Sequence, residues 1–307
     1  MKILVTGGAG FIGSHIVDAY INLGHEVIVI DNLSTGQKRF LNPKAIFYQV
    51  DIRERAQVEE IFATHQPGVL NHHAAQMDVR KSVADPIFDA EVNILGLIHL
   101  MEIGRTTGLK QVIFASSGGT VYGEAKQIPT PESAPTLPIS PYGISKLASE
   151  NYLHFYRAIY GIKFAALRYG NVYGPRQNPH GEAGVVAIFC KKLLKQEQPV
   201  INGDGEQTRD FVYVKDVVEA NVLALNLKQP LIVNIGTGTA TSVNTVFDIL
   251  GRLMQSTLPK KYGPVKPGEQ RTSVLETSLA KETLSWSPKF TLERGLSETI
   301  AFFENES

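Results

Sequence analysis

This sequence has almost no cysteine, no excess charge of either sign and no long apolar run. A single cysteine, Cys190, among 307 residues excludes an internal disulfide and fits a reducing compartment. Thirty basic against thirty acidic side chains leave no net field to draw a nucleic acid or a membrane surface. No stretch approaches the ~18 apolar residues that span a bilayer, and Met1 runs straight into an apolar segment, so no secretory leader is expected. A cytosolic protein with neither nucleic-acid nor membrane partners is expected. Internal repeats and low-complexity tracts are also lacking, and an apolar share of 43% is ordinary for a globular chain. Cys190 follows Val185-Val186-Ala187-Ile188-Phe189, so its expected role is helix packing, not nucleophilic chemistry.

The chain opens with a phosphate-binding pattern. Lys2-Ile3-Leu4-Val5 suits a buried parallel strand, and Thr6-Gly7-Gly8-Ala9-Gly10-Phe11-Ile12-Gly13 follows at once. Apolar positions Ile12, Ile16, Tyr20 and Leu23 then recur at helical spacing. In such a strand–turn–helix, Gly7 permits the turn, Gly10 lets the backbone approach a pyrophosphate, and Gly13 allows close helix–strand packing. The second strand, Glu26-Val27-Ile28-Val29-Ile30, ends in Asp31, placed to accept hydrogen bonds from a ribose diol and to repel a 2′-phosphate. NAD is therefore expected in preference to NADP.

Far downstream stands Tyr142-Gly-Ile-Ser-Lys146, preceded by Ser140-Pro141. Ser140 can cap a helix that starts at Pro141, and the four-residue spacing then stacks Tyr142 and Lys146 on one face. A lysine charge about 4 Å away can lower a phenol pKa by as much as ~3 units, so Tyr142 is expected to ionise near neutrality and act as a base. The adjacent His72 and His73 would point to opposite faces of a strand and so cannot share a metal; no metal site is expected.

Apolar β-type runs at 46–50, 69–72, 112–115, 163–167 and 231–235 alternate with helical patterns at 54–65, 87–108 and 141–160. The fold class implied is α/β: a Rossmann-like, doubly wound parallel sheet with a second, smaller α/β substrate lobe. The expected boundaries are 1–168 for the dinucleotide-binding domain, with 211–236 returning to it, and 169–210 plus 237–307 for the lobe. The Gly/Pro/Asn-rich stretches 170–184 and 260–268 read as loops. In an open α/β sheet the cleft lies beyond the carboxyl ends of the strands, where Asp31, Asp51, His72-His73-Ala74, Ser116-Ser117 and Tyr169-Gly170-Asn171 are expected.

These motifs carry a resemblance that covers nearly the whole chain. It resembles the extended short-chain dehydrogenase/reductases, and among them the nucleotide-sugar epimerases of the UDP-glucose 4-epimerase type. The matching stretches are Thr6 to Gly13, Asp31-Asn32-Leu33-Ser34-Thr35-Gly36, Asp51-Ile52, His73-Ala74-Ala75-Gln76, Asn93, Ser116 to Gly123, Tyr142 to Lys146, Asn171 to Arg176 and Thr208-Arg209-Asp210-Phe211. The resemblance implies an NAD pocket lined by Phe11, Ile12, Asp31, Asn32, Ser34, Thr35, Gly36, Asp51, Ile52, Ala74, Ala75, Gln76, Asn93, Lys146 and Tyr169. It further implies that Tyr142 takes a proton from the sugar 4-hydroxyl while C4 passes a hydride to NAD, giving a 4-keto intermediate. A UDP-sugar substrate and a homodimer built on helices 87–108 and 141–160 follow from the same likeness. Substrate contacts are expected from Ser117, Tyr142, Asn171, Gly184, Val185, Arg209, Lys266, Glu269, Arg271 and Ser273.

Several positions depart from the family pattern. Gly118 stands where a catalytic Ser or Thr is common, which leaves Ser117, favoured, or Thr120 to bond the 4-oxygen. Lys266 replaces an arginine, and Asn202 and Phe211 stand where an aromatic and a tyrosine are common, so altered uridine contacts are expected. The small Ser273 aligns with a gate for the sugar C2 substituent and would admit an N-acetyl group. A 4,6-dehydratase is disfavoured because Gly119 and Thr120 occupy the places of its acid pair. A UDP-glucuronate 4-epimerase remains an alternative. A non-enzymatic NAD sensor is a weaker one, since Tyr142 and Lys146 are both present.

Overall fold

The structure, a computed structural model, describes residues 1–179, 184–265 and 270–306. In chain order its regular elements begin with β1 (Lys2–Thr6), α1 (Phe11–Asn22), β2 (Glu26–Ile30), β3 (Ile46–Tyr48), α2 (Arg55–His65) and β4 (Val69–His72). Next come α3 (Val79–Ala84), α4 (Pro86–Ala90), a π-turn (Glu91–Leu95), α5 (Gly96–Thr107), β5 (Gln111–Ser117), α6 (Gly118–Val121), α7 (Pro141–Tyr160) and β6 (Lys163–Tyr169). The remainder comprises β7 (Asn171–Tyr173), α8 (Val185–Leu194), β8 (Ile201–Asn202), β9 (Thr208–Arg209), β10 (Phe211–Tyr213), α9 (Val214–Ala224) and β11 (Leu231–Ile235). It closes with β12 (Thr241–Ser242), α10 (Val243–Leu253), β13 (Tyr262–Gly263), β14 (Thr272–Ser273), α11 (Ser278–Leu284) and α12 (Leu292–Asn305).

Two compact units emerge. The first comprises 1–123, 136–168 and 218–233, and the second 124–135, 169–217 and 234–307. These limits depart from the sequence boundaries in two ways: 124–135 groups with the second unit, and the returning segment is 218–233, not 211–236.

The first unit is organised by a seven-stranded parallel sheet of order β11-β6-β5-β4-β1-β2-β3. Ile3, Leu4 and Val5 of β1 are fully buried, as a strand covered on both faces requires. β1 pairs with β2 on one side and β4 on the other, so the strand order reverses beside it and a crevice opens at its carboxyl end. One core layer joins Leu4, Ile28, Leu70, Val112 and Phe114 of the strands to Phe62, Leu100, Met101 and Leu153 of the helices. The Ser140 hydroxyl caps α7 by accepting the Gly143 N–H at 3.2 Å, with Pro141 in the first turn.

Smaller sheets build the second unit: β10 with β7, β12-β9-β14, and β13 with β8. Two stretches read as loops therefore contain short strands, β7 within 170–184 and β13 within 260–268. Each is two or three residues long and held by its partner strand, too short to show period-two alternation. Asp210, 1% exposed, joins three segments: its carboxylate accepts from Thr237 N at 2.6 Å, Gly238 N at 3.1 Å and Leu275 N at 3.2 Å.

Candidate active site

The glycine loop sits at the crevice of the first unit. Gly7 adopts φ +70°, and a Cβ there would come within 2.7 Å of Ala74 N, so only glycine lets the two loops approach. A Cβ on Gly13 would strike Gly7 O, so glycine here lets α1 pack closely on the turn that follows β1. Gly10 caps α1 without any side-chain hydrogen bond, and no acid occupies the first turn. The free N–H groups and the positive end of the helix dipole therefore suit a phosphate. Phe11 and Ile12 are half-buried at this end of α1.

Asp31 is buried and ties the loops around the crevice together. Its Oδ2 accepts the Ala9 N–H at 2.9 Å and its Oδ1 the Leu33 N–H at 2.8 Å. Burial raises its pKa while these two amides oppose the rise. Gly36 passes close by, since a Cβ on it would lie 2.8 Å from Asp31 Oδ1. Ser34 and Thr35 are exposed beside it. Asn32 donates to Asp51 at 2.8 Å, and Asp51 also holds the Arg53 guanidinium through contacts of 3.0 Å, which brings its pKa down to about 2. Ile52 lies in the core, against Gly96.

Across the crevice Gln76 and Asn93 form a reciprocal pair. Gln76 N donates to Asn93 Oδ1 at 3.0 Å, and Asn93 Nδ2 returns a bond to Gln76 O at 2.9 Å. Ala74 and Ala75 are half-buried just before them, and the Ala74 N–H is held by Thr6 Oγ1 at 3.2 Å. His72 is buried, bonded to Thr6 Oγ1 at 2.7 Å and stacked on Phe114; burial keeps both His72 and His73 from protonating near neutrality.

Tyr142 and Lys146 share one face of α7, as their spacing requires, with the Lys146 ammonium 5.7 Å from the Tyr142 ring centroid. The expected drop in the phenol pKa does not occur in the protein alone. Burial and the negative charge of Asp89 push Tyr142 above its ordinary value, and only a hydrogen bond with Ser117 opposes them. Lys146 is engaged elsewhere: Nζ donates to Ala115 O at 2.8 Å and lies 4.8 Å from the centre of the Phe114 ring. Burial lowers Lys146 to about 8, while Asp89 and Glu150 favour its charged form.

The two strand serines separate as alternation predicts. Ser117 reaches Tyr142, whereas Ser116 turns the other way and donates to Glu150 at 2.6 Å. Thr120 Oγ1 on α6 is buried with no hydrogen-bond partner, a free polar group of the kind a ligand would satisfy. Beneath the site, Arg168 makes a buried two-point ion pair with Glu150 at 2.9 and 2.7 Å and donates to Tyr122 OH at 2.8 Å. Sequence reasoning missed Asp89, Glu150, Arg168 and Tyr122. The one available signal was Glu150, four residues beyond Lys146 on the same helix face.

In the second unit, β9 lies between β12 and β14, with Arg209 in register with Ser273. Arg209 donates to Thr208 O at 2.8 Å, and Ser273 is half-buried. Asn171 opens β7 in register with Phe211. Gly184 and Val185 begin α8, which has no side-chain cap and no acid in its first turn. Tyr169 is buried at the end of β6. Arg271, expected among the substrate contacts, is held by Asp204 through contacts of 2.7 and 2.9 Å. Lys266 and Glu269 lie outside the described residues.

The crevice of the first unit fits a dinucleotide: an uncapped glycine-rich helix start, a buried acid after the second strand, and a phenol–ammonium pair with an orphaned hydroxyl. Comparisons with known proteins agree. A model of the NAD-dependent epimerase/dehydratase family matches residues 3–236. A Methanocaldococcus jannaschii protein described as a putative UDP-glucose 4-epimerase is 48% identical over 305 residues, covering 99% of each chain. The solved UDP-glucose 4-epimerase of Thermotoga maritima, crystallised with UDP-glucose, superposes with a TM-score of 0.98 at 49% identity, covering 100% of this chain and 99% of its own. The Thermus thermophilus UDP-glucose 4-epimerase in complex with NAD superposes with a TM-score of 0.95 at 42% identity over 100% of both chains. Motifs, sheet order and similarity along its whole length lead to one conclusion: this chain belongs to the NAD-dependent epimerase/dehydratase family.

Proposed function

We propose that this enzyme uses NAD to interconvert UDP-glucose and UDP-galactose through a transient 4-keto sugar. The observation that carries the reading is the Tyr142–Ser117 hydrogen bond on the same helix face as Lys146. Tyr142 takes the proton of the sugar 4-hydroxyl and returns it at the end of the cycle. Bound NAD would supply the hydride acceptor and donor for C4, and its oxidised ring would bring a positive charge that favours an anionic phenol. Lys146 adds a second positive charge on the same side. Ser117, with Thr120 beside it, holds the sugar 4-oxygen.

The pyrophosphate cradle comprises Gly7, Gly10 and Gly13, and the ribose contacts come from Asp31. Asn32, Ser34, Thr35, Gly36, Asp51, Ile52, Ala74, Gln76, Asn93 and Tyr169 complete the cofactor pocket. The second unit is the nucleotide-sugar lobe. Asn171, Arg209 and the N–H groups at Gly184 and Val185 hold the nucleoside diphosphate, where epimerisation needs its binding energy because the sugar itself must turn over. Lys266 is assigned to the same set, and Arg271 would join it on exchanging Asp204 for phosphate. Ser273, small and half-buried, leaves room for a C2 N-acetyl group, so UDP-N-acetylglucosamine is a second substrate. The working form is a cytosolic homodimer, supported by apolar side chains left exposed on α4 and α7.

Replacing Tyr142 with Phe in purified enzyme tests the central assignment. Turnover of UDP-galactose should fall by about 10²-fold or more, the range for losing general acid–base catalysis, while NAD stays bound. Wild-type turnover in this variant would remove Tyr142 from the mechanism.

A further inference from the structure

Asp89 is fully buried, yet the mechanism gives it no role. It sits in α4, and all three of its side-chain partners are neutral donors. Oδ1 accepts from Gln76 Nε2 at 2.9 Å and Asn93 Nδ2 at 3.0 Å; Oδ2 accepts from Ser145 Oγ at 2.6 Å. Two amide N–H groups converge on one oxygen and a hydroxyl donates at short distance to the other, so both carboxylate oxygens serve as acceptors. None of these partners cancels its charge. Ser145 lies between Tyr142 and Lys146 on α7, which ties the carboxylate to the segment bearing both groups.

We propose that Asp89 is a positioning residue whose buried negative charge sets the protonation of Tyr142 and Lys146 while it clamps the Gln76–Asn93 pair to α7. The proposal rests on Tyr142 as the base. Other charged or titratable groups act on this pair as well. Glu150, from α7 itself, favours the charged form of Lys146, but Arg168 neutralises it from β6. His72 and His73, from the β4 side, are held neutral by burial. Ser117, from β5, stabilises the phenolate. Asp89 alone opposes ionisation of Tyr142 and at the same time helps Lys146 hold its proton. Together with burial it opposes ionisation of the phenol, and a positive nicotinamide ring would act in the opposite direction.

Asp89→Asn is the informative variant because the amide preserves the bonding pattern. Its oxygen can still accept from Gln76 and Asn93, and its NH₂ can donate to Ser145 Oγ. Tyr142 ionisation can be read directly in NAD-free protein from near-ultraviolet tyrosinate absorbance, with Tyr142→Phe in each background as the blank. The Asn variant should titrate Tyr142 about one pH unit lower, a tenfold change in proton concentration. In NAD-loaded enzyme both limbs of the kcat/KM profile should move to lower pH together, because the lost charge raised both pKa values. Asp89→Glu should restore the wild-type positions. Ser145→Ala leaves the carboxylate charged with one donor fewer, so it should move the Tyr142 titration upward, and it serves if the Asn variant does not fold. A Tyr142 titration unmoved by Asp89→Asn, with activity falling equally at every pH, would reduce Asp89 to a structural clamp and overturn the proposal. Failure of the base assignment itself would appear separately, as turnover retained by Tyr142→Phe.

Discussion

Ser116 and Ser117 are adjacent in sequence but do different work. Ser117 meets the Tyr142 phenol, while Ser116 completes the buried Glu150–Arg168 pair. Removing either charge of that pair would leave the other bare and cost about 3–5 kcal/mol. Ser117→Ala should therefore lower kcat with little change in melting temperature. Ser116→Ala should cost about 1–3 kcal/mol of stability for its lost bond and leave kcat nearer wild type. Steady-state kinetics beside thermal unfolding would separate them, and a larger kcat loss for Ser116→Ala would move the sugar-oxygen contact away from Ser117. Ser273 gives a second comparison at this scale. Ser273→Tyr should abolish kcat/KM for UDP-N-acetylglucosamine and spare UDP-glucose, since a clash in a rigid pocket opposes only the larger substrate. Equal losses for both sugars would show that the gate lies elsewhere.

What is legible at this scale is pattern, and what is hidden is environment. The Tyr142/Lys146 spacing and the alternation of Ser116 and Ser117 follow from helical and strand geometry, so they are readable without coordinates. The charge of Asp89 beside Tyr142 depends on how α4 and the π-turn meet α7, with Asp89 and its partner Ser145 separated by 56 positions, and no local period encodes that. The same holds for Arg168, whose partners Glu150 and Tyr122 come from two other parts of the chain. Hence the sequence points to Tyr142 itself but not to the direction of its shift, which burial and Asp89 decide.

Among elements, α7 carries both the proposed chemistry and the proposed assembly face. Its inner face buries Ser145, Lys146, Ser149, Glu150 and Leu153. Its outer face leaves Ile144, Tyr152, Phe155 and Ile159 exposed, Ile159 at 64%, an apolar stripe at helical spacing. Ile87 of α4, 72% exposed, and Leu95 of the π-turn extend the apolar surface of the first unit. Charge on this stripe should disrupt the proposed homodimer with little effect on the monomer fold. Phe155→Glu together with Ile159→Lys is expected to halve the mass seen by light scattering. A wild-type chain already monomeric at micromolar concentration would place the apolar stripe outside any self-association. Long periodic helices and doubly buried strands such as α7 and β1 are clear from sequence, whereas two-residue strands such as β13 exist only through their partners.

For the whole molecule, the central claim is that one hydride leaves C4 and returns to the same carbon within a single turnover. The first unit provides the cofactor cradle and the phenol–ammonium pair. The second has the small sheet bearing Arg209, which is assigned to the nucleotide. UDP-galactose labelled with deuterium at C4 of the sugar tests the claim most directly. Incubated with the purified enzyme in ordinary water, it should yield UDP-glucose that keeps the deuterium at C4, as read by mass spectrometry and NMR. The absence of UDP-glucose, or a product whose C4 label has been replaced by solvent hydrogen, would contradict the account.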